Sequence, residues 1–136
     1  MGSPSRRPTP FPTATPQPTS TPWPTATPSI SSYDHYLQAE FYYDTGQYLL
    51  AISEYSSAIN LSPTLDSAYF NNRGNAYHEF GYYREAVDDY TQAVQIPGGT
   101  FAVHYGNHAS AWYYLGMYTQ MNADYDAACR LDATYC

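Results

Sequence analysis

Two cysteines, two histidines four residues apart and two adjacent aspartates are the residues of this chain whose spacing could carry chemistry. Cys129 and Cys136 are its only cysteines, close enough to close an eight-residue disulfide loop that pins the tail to the preceding segment. That intramolecular bridge is the favoured reading and implies an oxidising compartment, with a buried thiol at Cys129 or a bridge between subunits as alternatives. His104 and His108 stand at i and i+4, where two imidazoles on one helical face can share a metal. No carboxylate or third histidine sits at ligand spacing, so they read as ordinary polar helix residues and no metal is expected. Asp88 and Asp89 would point about 100° apart on a helix and read as a solvated face. No nucleophile–base pair, glycine-rich phosphate loop or paired-carboxylate motif stands out. The chain reads as non-enzymatic and without a cofactor.

The elements that must position any site come from a repeat. In steps of 35 residues the chain returns Ala39, Gly74, Ala109; Tyr42, Tyr77, Trp112; Gly46, Gly81, Gly116; and Tyr48, Tyr83, Tyr118. The register continues through Tyr55, Tyr90, Tyr125 and Ala58, Ala93, Ala128, and closes on Leu61, Ile96 and Leu131. The small residue lets a second helix approach, and the aromatic three positions later falls on the same face. Glycine then accepts the left-handed conformation that ends the helix, and a second apolar stripe begins. Helices are predicted over about 33–44 and 48–61, 67–80 and 83–95, and 102–115 and 118–131, with Ser31 or Ser32 capping the first. Met121 and Asn122 replace the apolar residues of the earlier copies, so the last helix is expected to pack more loosely or against something else.

A 35-residue period with these residues resembles the tetratricopeptide repeat, a helix-turn-helix unit, over roughly residues 31–133. The resemblance implies an all-α fold of three stacked hairpins (about 32–65, 67–100 and 102–136) within a domain of residues 31–136. Only five residues follow Leu131, without the polar-faced capping helix common in such arrays, so an apolar face is expected to need cover from the N-terminal arm, the disulfide loop or another subunit.

Residues 1–30 form a separate arm holding nine of the 11 prolines, predicted to extend as polyproline II. Phe11 and Trp23 are the second residues of two copies of a heptapeptide that begin at Pro10 and Pro22, twelve residues apart, which places both rings on one side about 37 Å apart. This is either a docking strip or a spacer; the arm resembles the Pro/Thr stalks of bacterial surface proteins, whose threonines carry O-linked glycans. No apolar run is long enough for a signal-peptide core or a membrane span.

Net charge is −7, from 12 acidic residues against five arginines and no lysine, which argues against nucleic acid and anionic membranes. Charged residues are only 12% of the chain while all 17 tyrosines follow the arm, a composition suited to an interface. By resemblance, the first helix of each hairpin lines an inner groove presenting Tyr36, Glu40 and Tyr43, then Asn71, Asn75 and His78, then Ser110, Tyr113 and Tyr114. Family members that grip a terminal carboxylate place cations there; this groove has none, and its tyrosines and amides suit an extended or proline-rich peptide. The leading expectation is a protein that assembles with itself outside the cytoplasm, at the cell surface or beyond, into an oligomer, filament or tube, by stacked repeats and docking of Phe11 and Trp23. The alternative is a monomeric, surface-tethered adaptor that binds an extended peptide of another protein.

Overall fold

The computed structural model describes residues 2–6, 10, 28–99 and 101–136. Six helices follow one another: α1 (Ser32–Asp44), α2 (Tyr48–Leu61), α3 (Ser67–Phe80), α4 (Tyr83–Gln95), α5 (Ala102–Tyr114) and α6 (Tyr118–Leu131). Their ends are set locally. The Ser31 hydroxyl accepts from the Asp34 N–H at 3.1 Å while the Asp34 carboxylate accepts from the Ser31 N–H at 2.9 Å, a reciprocal cap on α1. Asp66 caps α3 by accepting from the Ala68 N–H at 2.8 Å. At the turn inside each hairpin, Gly46, Gly81 and Gly116 hold φ of 74°, 91° and 72°, a region that side chains disfavour. Such short turns make each pair antiparallel, and every helix packs on its chain neighbours. The 35-residue register is therefore a register of helix pairs.

Small residues bring the pairs together. Ala39, Ala51, Tyr55 and Ala76 form one buried cluster, and Ala86, Val87, Tyr90 and Ala111 form the next. Tyr55 and Tyr90 occupy the same repeat position, and each is sealed by an alanine of the following hairpin, Ala76 or Ala111. Position 74 is glycine because a Cβ there would lie 2.8 Å from the Tyr90 ring. In the third copy Tyr125 has no such cover among the described residues and is 40% exposed, while α6 buries Ala128 alone. Met121 is half-buried and Asn122 exposed, but α6 packs along α5 as closely as α4 along α3, so its exposed side reflects the lack of a following hairpin among the described residues.

The last hairpin is not wholly open. Cys129 and Cys136 are joined by a disulfide, and a single 3-10 turn, Ala133–Tyr135, lies between them. This places the Tyr135 ring over Gly106 on α5, where a Cβ would come within 2.7 Å of it. Of the covers expected for that end, the disulfide loop is the one present among the described residues. Phe11, Trp23 and most of the proline-rich arm lie outside them.

Two readings of the sequence are corrected here. Asp88 is exposed, but Asp89 is only 4% exposed and binds Arg73 through two hydrogen bonds of 2.7 Å each. It turns inward because α3 supplies a cation opposite it. His104 and His108 are buried structural groups on separate partners, not ordinary polar positions. The His104 Nδ1–H donates to the Gly99 carbonyl at 2.7 Å, tying the inter-hairpin loop to α5. His108 lies 3.1 Å from the Asp124 carboxylate through Nδ1 and 3.2 Å from the Thr91 hydroxyl through Nε2.

These contacts recur with the repeat. A hydroxyl on the second helix of one hairpin (Ser56, Thr91) meets a basic residue on the first helix of the next (Arg73, His108), which faces an acid on its own hairpin's second helix (Asp89, Asp124). In the first copy, His35 meets Glu54 at 2.6 Å. Each junction between hairpins thus holds a hydroxyl, a basic residue and an acid in sequence.

Candidate functional site

On the side of α1, α3 and α5, two hollows sit end to end. The larger, about 260 Å³, is bordered by Tyr43, Asn75, His78 and Glu79, by Tyr90 beneath, and by Asn107 and Ser110. The smaller, about 150 Å³, is bordered by Glu40, Tyr43 and Asp44, with Tyr55 beneath and Asn72 and Asn75 beyond. Tyr43 and Asn75 belong to both, so the hollows form one groove.

A repeated amide network builds its floor. The Tyr55 hydroxyl donates to Glu40, and the Tyr90 hydroxyl donates to the Asn75 carbonyl oxygen at 2.8 Å, equivalent pairs one repeat apart. From the following hairpin Asn72 donates to Glu40 at 2.9 Å and to the Tyr36 hydroxyl at 3.2 Å. Asn107 does the same one repeat later, reaching Asn75 and Asn71 at 3.1 Å each. Glu40 and Asn75 therefore each take a phenol from their own hairpin and an amide from the next, which ties successive hairpins together along the groove.

Of the residues expected to line the groove, Glu40, Tyr43, Asn75, His78 and Ser110 border the hollows. Tyr36 stacks on Tyr69 with ring centroids 4.9 Å apart, and Asn71 is buried, so both support the groove from within its junctions. Tyr114 stacks flat on Tyr83 at 4.6 Å and meets the edge of His78, forming the wall beside the larger hollow. Tyr113 is 55% exposed and turns toward Tyr118, away from both hollows. Sequence reasoning missed Asn72, Asn107, Asp44 and Glu79. Both pairs could have been found, since Asn72 and Asn107, like Asp44 and Glu79, stand 35 residues apart at one repeat position.

Electrostatics follow from this packing. Burial, then Glu79, Tyr48, Asp44 and Glu40, hold the Tyr43 phenol above its ordinary range. Burial pushes Tyr55 and Tyr90 up as well, with the hydrogen bond to Glu40 adding to the effect on Tyr55. Burial also lowers the His78 pKa against the opposing influence of Glu79, and its Nε2 lies 3.1 Å from the Ser110 hydroxyl. At neutral pH the groove thus presents neutral phenols, amides and an imidazole, with carboxylates along its α1–α3 side. That arrangement can recognise a chain by hydrogen bonding and charge.

Antiparallel helix pairs stacked in register, with a groove along their first helices, define the α-solenoid class of protein. Residues 39–81 match the TPR repeat profile and residues 67–98 the tetratricopeptide repeat profile, so the segment 39–98 matches tetratricopeptide repeats. No curated protein matches it in sequence. Among solved structures, it is similar to the first repeat domain of Spaghetti (RPAP3) bound to the HSP90 peptide SRMEEVD, with a TM-score of 0.71 and 20% identity over 76% of this chain and 80% of that one. It is also similar to the Arabidopsis OM64 TPR domain, with a TM-score of 0.71 and 25% identity over 76% and 84% of the two chains. The second TPR domain of human RPAP3, in complex with the HSP70 peptide SGPTIEEVD, gives a TM-score of 0.68 and 21% identity over 76% and 88%.

Proposed function

We propose that this chain is a non-enzymatic protein-interaction module whose groove takes an extended segment of another protein. The observation that carries this is the continuous groove of α1, α3 and α5, whose floor is fixed by the amide network while the Tyr43 ring borders both hollows. Two of the similar domains are complexed with short peptides, which supports the same use of the fold. Peptides selected from a displayed library on the whole chain are expected to lose binding on Tyr43→Ala and His78→Ala, but not on Arg84→Ala, which lies outside the groove. Selected peptides indifferent to Tyr43 and His78 would overturn the reading.

Self-assembly is a second reading, favoured by the aromatic side chains left exposed on the last hairpin: Tyr113 at 55%, Tyr118 at 57% and Tyr125 at 40%. In that reading the hairpin ends stack on further copies, with Phe11 and Trp23 docking in a neighbour's groove, and the Pro/Thr-rich arm serves otherwise as a surface stalk. The Cys129–Cys136 bridge supports an oxidising setting, at the cell surface or beyond it. Sedimentation of the non-reduced chain separates the readings: concentration-dependent polymers abolished by Phe11→Ala with Trp23→Ala favour assembly, and a monomer at every concentration excludes it.

A further inference from the structure

The groove carries one sign of charge. Asp44 and Glu79 occupy the same position of successive repeats, at the ends of α1 and α3, and Glu40 stands one turn before Asp44. The Glu40 carboxylate is engaged by Tyr55 and Asn72. Asp44 is exposed and makes no side-chain hydrogen bond among the described residues, while Glu79 approaches only His78, at 3.9 Å. Among the described residues no arginine borders either hollow to answer them: Arg73 is committed to Asp89 and Ser56 inside a junction, and Arg84 borders a different hollow beside Trp112. The ring of Tyr43, bordering both hollows, gives a π face beside these carboxylates.

We propose that this groove selects an extended segment carrying a lysine or arginine, and turns away acidic tails of the SRMEEVD kind. This rests on the peptide-binding reading above and names the chemistry of the partner. A cationic side chain against the Tyr43 face gains both the ring's quadrupole and charge-assisted hydrogen bonds that it donates to Asp44 and Glu79. An acidic segment in the same place meets like charge with no compensating cation, a form of selection by repulsion.

The test uses the whole chain and three peptides, each N-terminally blocked with an uncharged label and without arginine, read by fluorescence anisotropy at low salt: acidic SQMEEVD with a free C-terminus, its amidated uncharged analogue SQMQQVN, and the amidated lysine peptide SQMKKVN. The lysine peptide is expected to bind at least about tenfold tighter than the neutral one, with the acidic peptide weakest and the spread narrowing as salt rises. The exposed double variant Asp44→Lys with Glu79→Lys is expected to reverse the order. Equal binding of all three, unchanged in the variant, overturns the charge selection while leaving the peptide groove standing. No binding of any peptide up to about 1 mM overturns both. Self-association of the chain that the lysine peptide displaces would assign the groove to a second copy and overturn the foreign partner.

Discussion

The ion pair between Arg73 and Asp89 shows how much of this molecule is decided by single polar residues inside its junctions. Burial acts against charge on both groups, raising the Asp89 pKa, while the two hydrogen bonds to Asp89 hold Arg73 protonated. Removing one partner strands the other. Arg73→Met is expected to cost about 3–5 kcal/mol in urea unfolding, and combining it with Asp89→Leu should recover most of the loss, because two apolar residues leave no charge behind. Recovery of nothing would mean that the pair acts through packing. His104 and His78 give the fold a pH dependence of definite sign. Burial lowers both below the ordinary value of 6.5, so the unfolded chain takes up protons first as pH falls. Their stabilisation is complete above about pH 6.5 and is lost as pH falls through the folded values. His104→Asn keeps a donor for the Gly99 carbonyl without a titrating ring, so its urea midpoint should fall less between pH 7 and pH 5 than that of the wild type.

At the scale of elements, the six helices were legible because each boundary carries its own chemistry: glycine at the turns, Ser31 and Asp66 at helix starts, and alternating small and aromatic residues between. What joins the helices was less legible. Asp89 looked like a surface residue because its partner lies 16 positions away on another helix, and Asp124 meets His108 at the same separation. A repeat period shows which residues are equivalent, not which ones face each other. Gly106 is a similar case, since its reason is the Tyr135 ring brought over it by the disulfide. In a helix interior, alanine ordinarily gains about 1 kcal/mol over glycine. Gly106→Ala is therefore expected to stabilise the Tyr135→Ala chain but not the wild type, where the new methyl meets the ring. A double-mutant cycle by urea unfolding measures this coupling, and additivity would show that Tyr135 does not hold that position.

At the scale of the whole molecule, stacked repeats share stability only with their neighbours, so protection should follow burial along the array. The middle hairpin has neighbours on both sides, and α3 and α4 together bury Tyr69, Phe70, Asn71, Ala86, Val87, Asp89 and Tyr90, among others. At the two outer helices, α1 buries only Ala39 and α6 only Ala128. Amide hydrogen exchange is therefore expected to be slowest in α3 and α4 and fastest in α1 and α6. The two ends differ in one respect that allows a sharper test. The Cys129–Cys136 loop closes on the last turn of α6 and carries Tyr135 back to α5, whereas α1 has no covalent tie. With a sequence separation of 7, the cross-link is worth roughly 2.5 kcal/mol on the chain-entropy estimate. Reduction, or Cys129→Ala with Cys136→Ala, should accelerate exchange in α6 and in the part of α5 under Tyr135 while leaving α1 unchanged. An equal rise at both ends would mean that the chain opens as one unit, and the disulfide would then stabilise the array as a whole instead of holding its last hairpin in place.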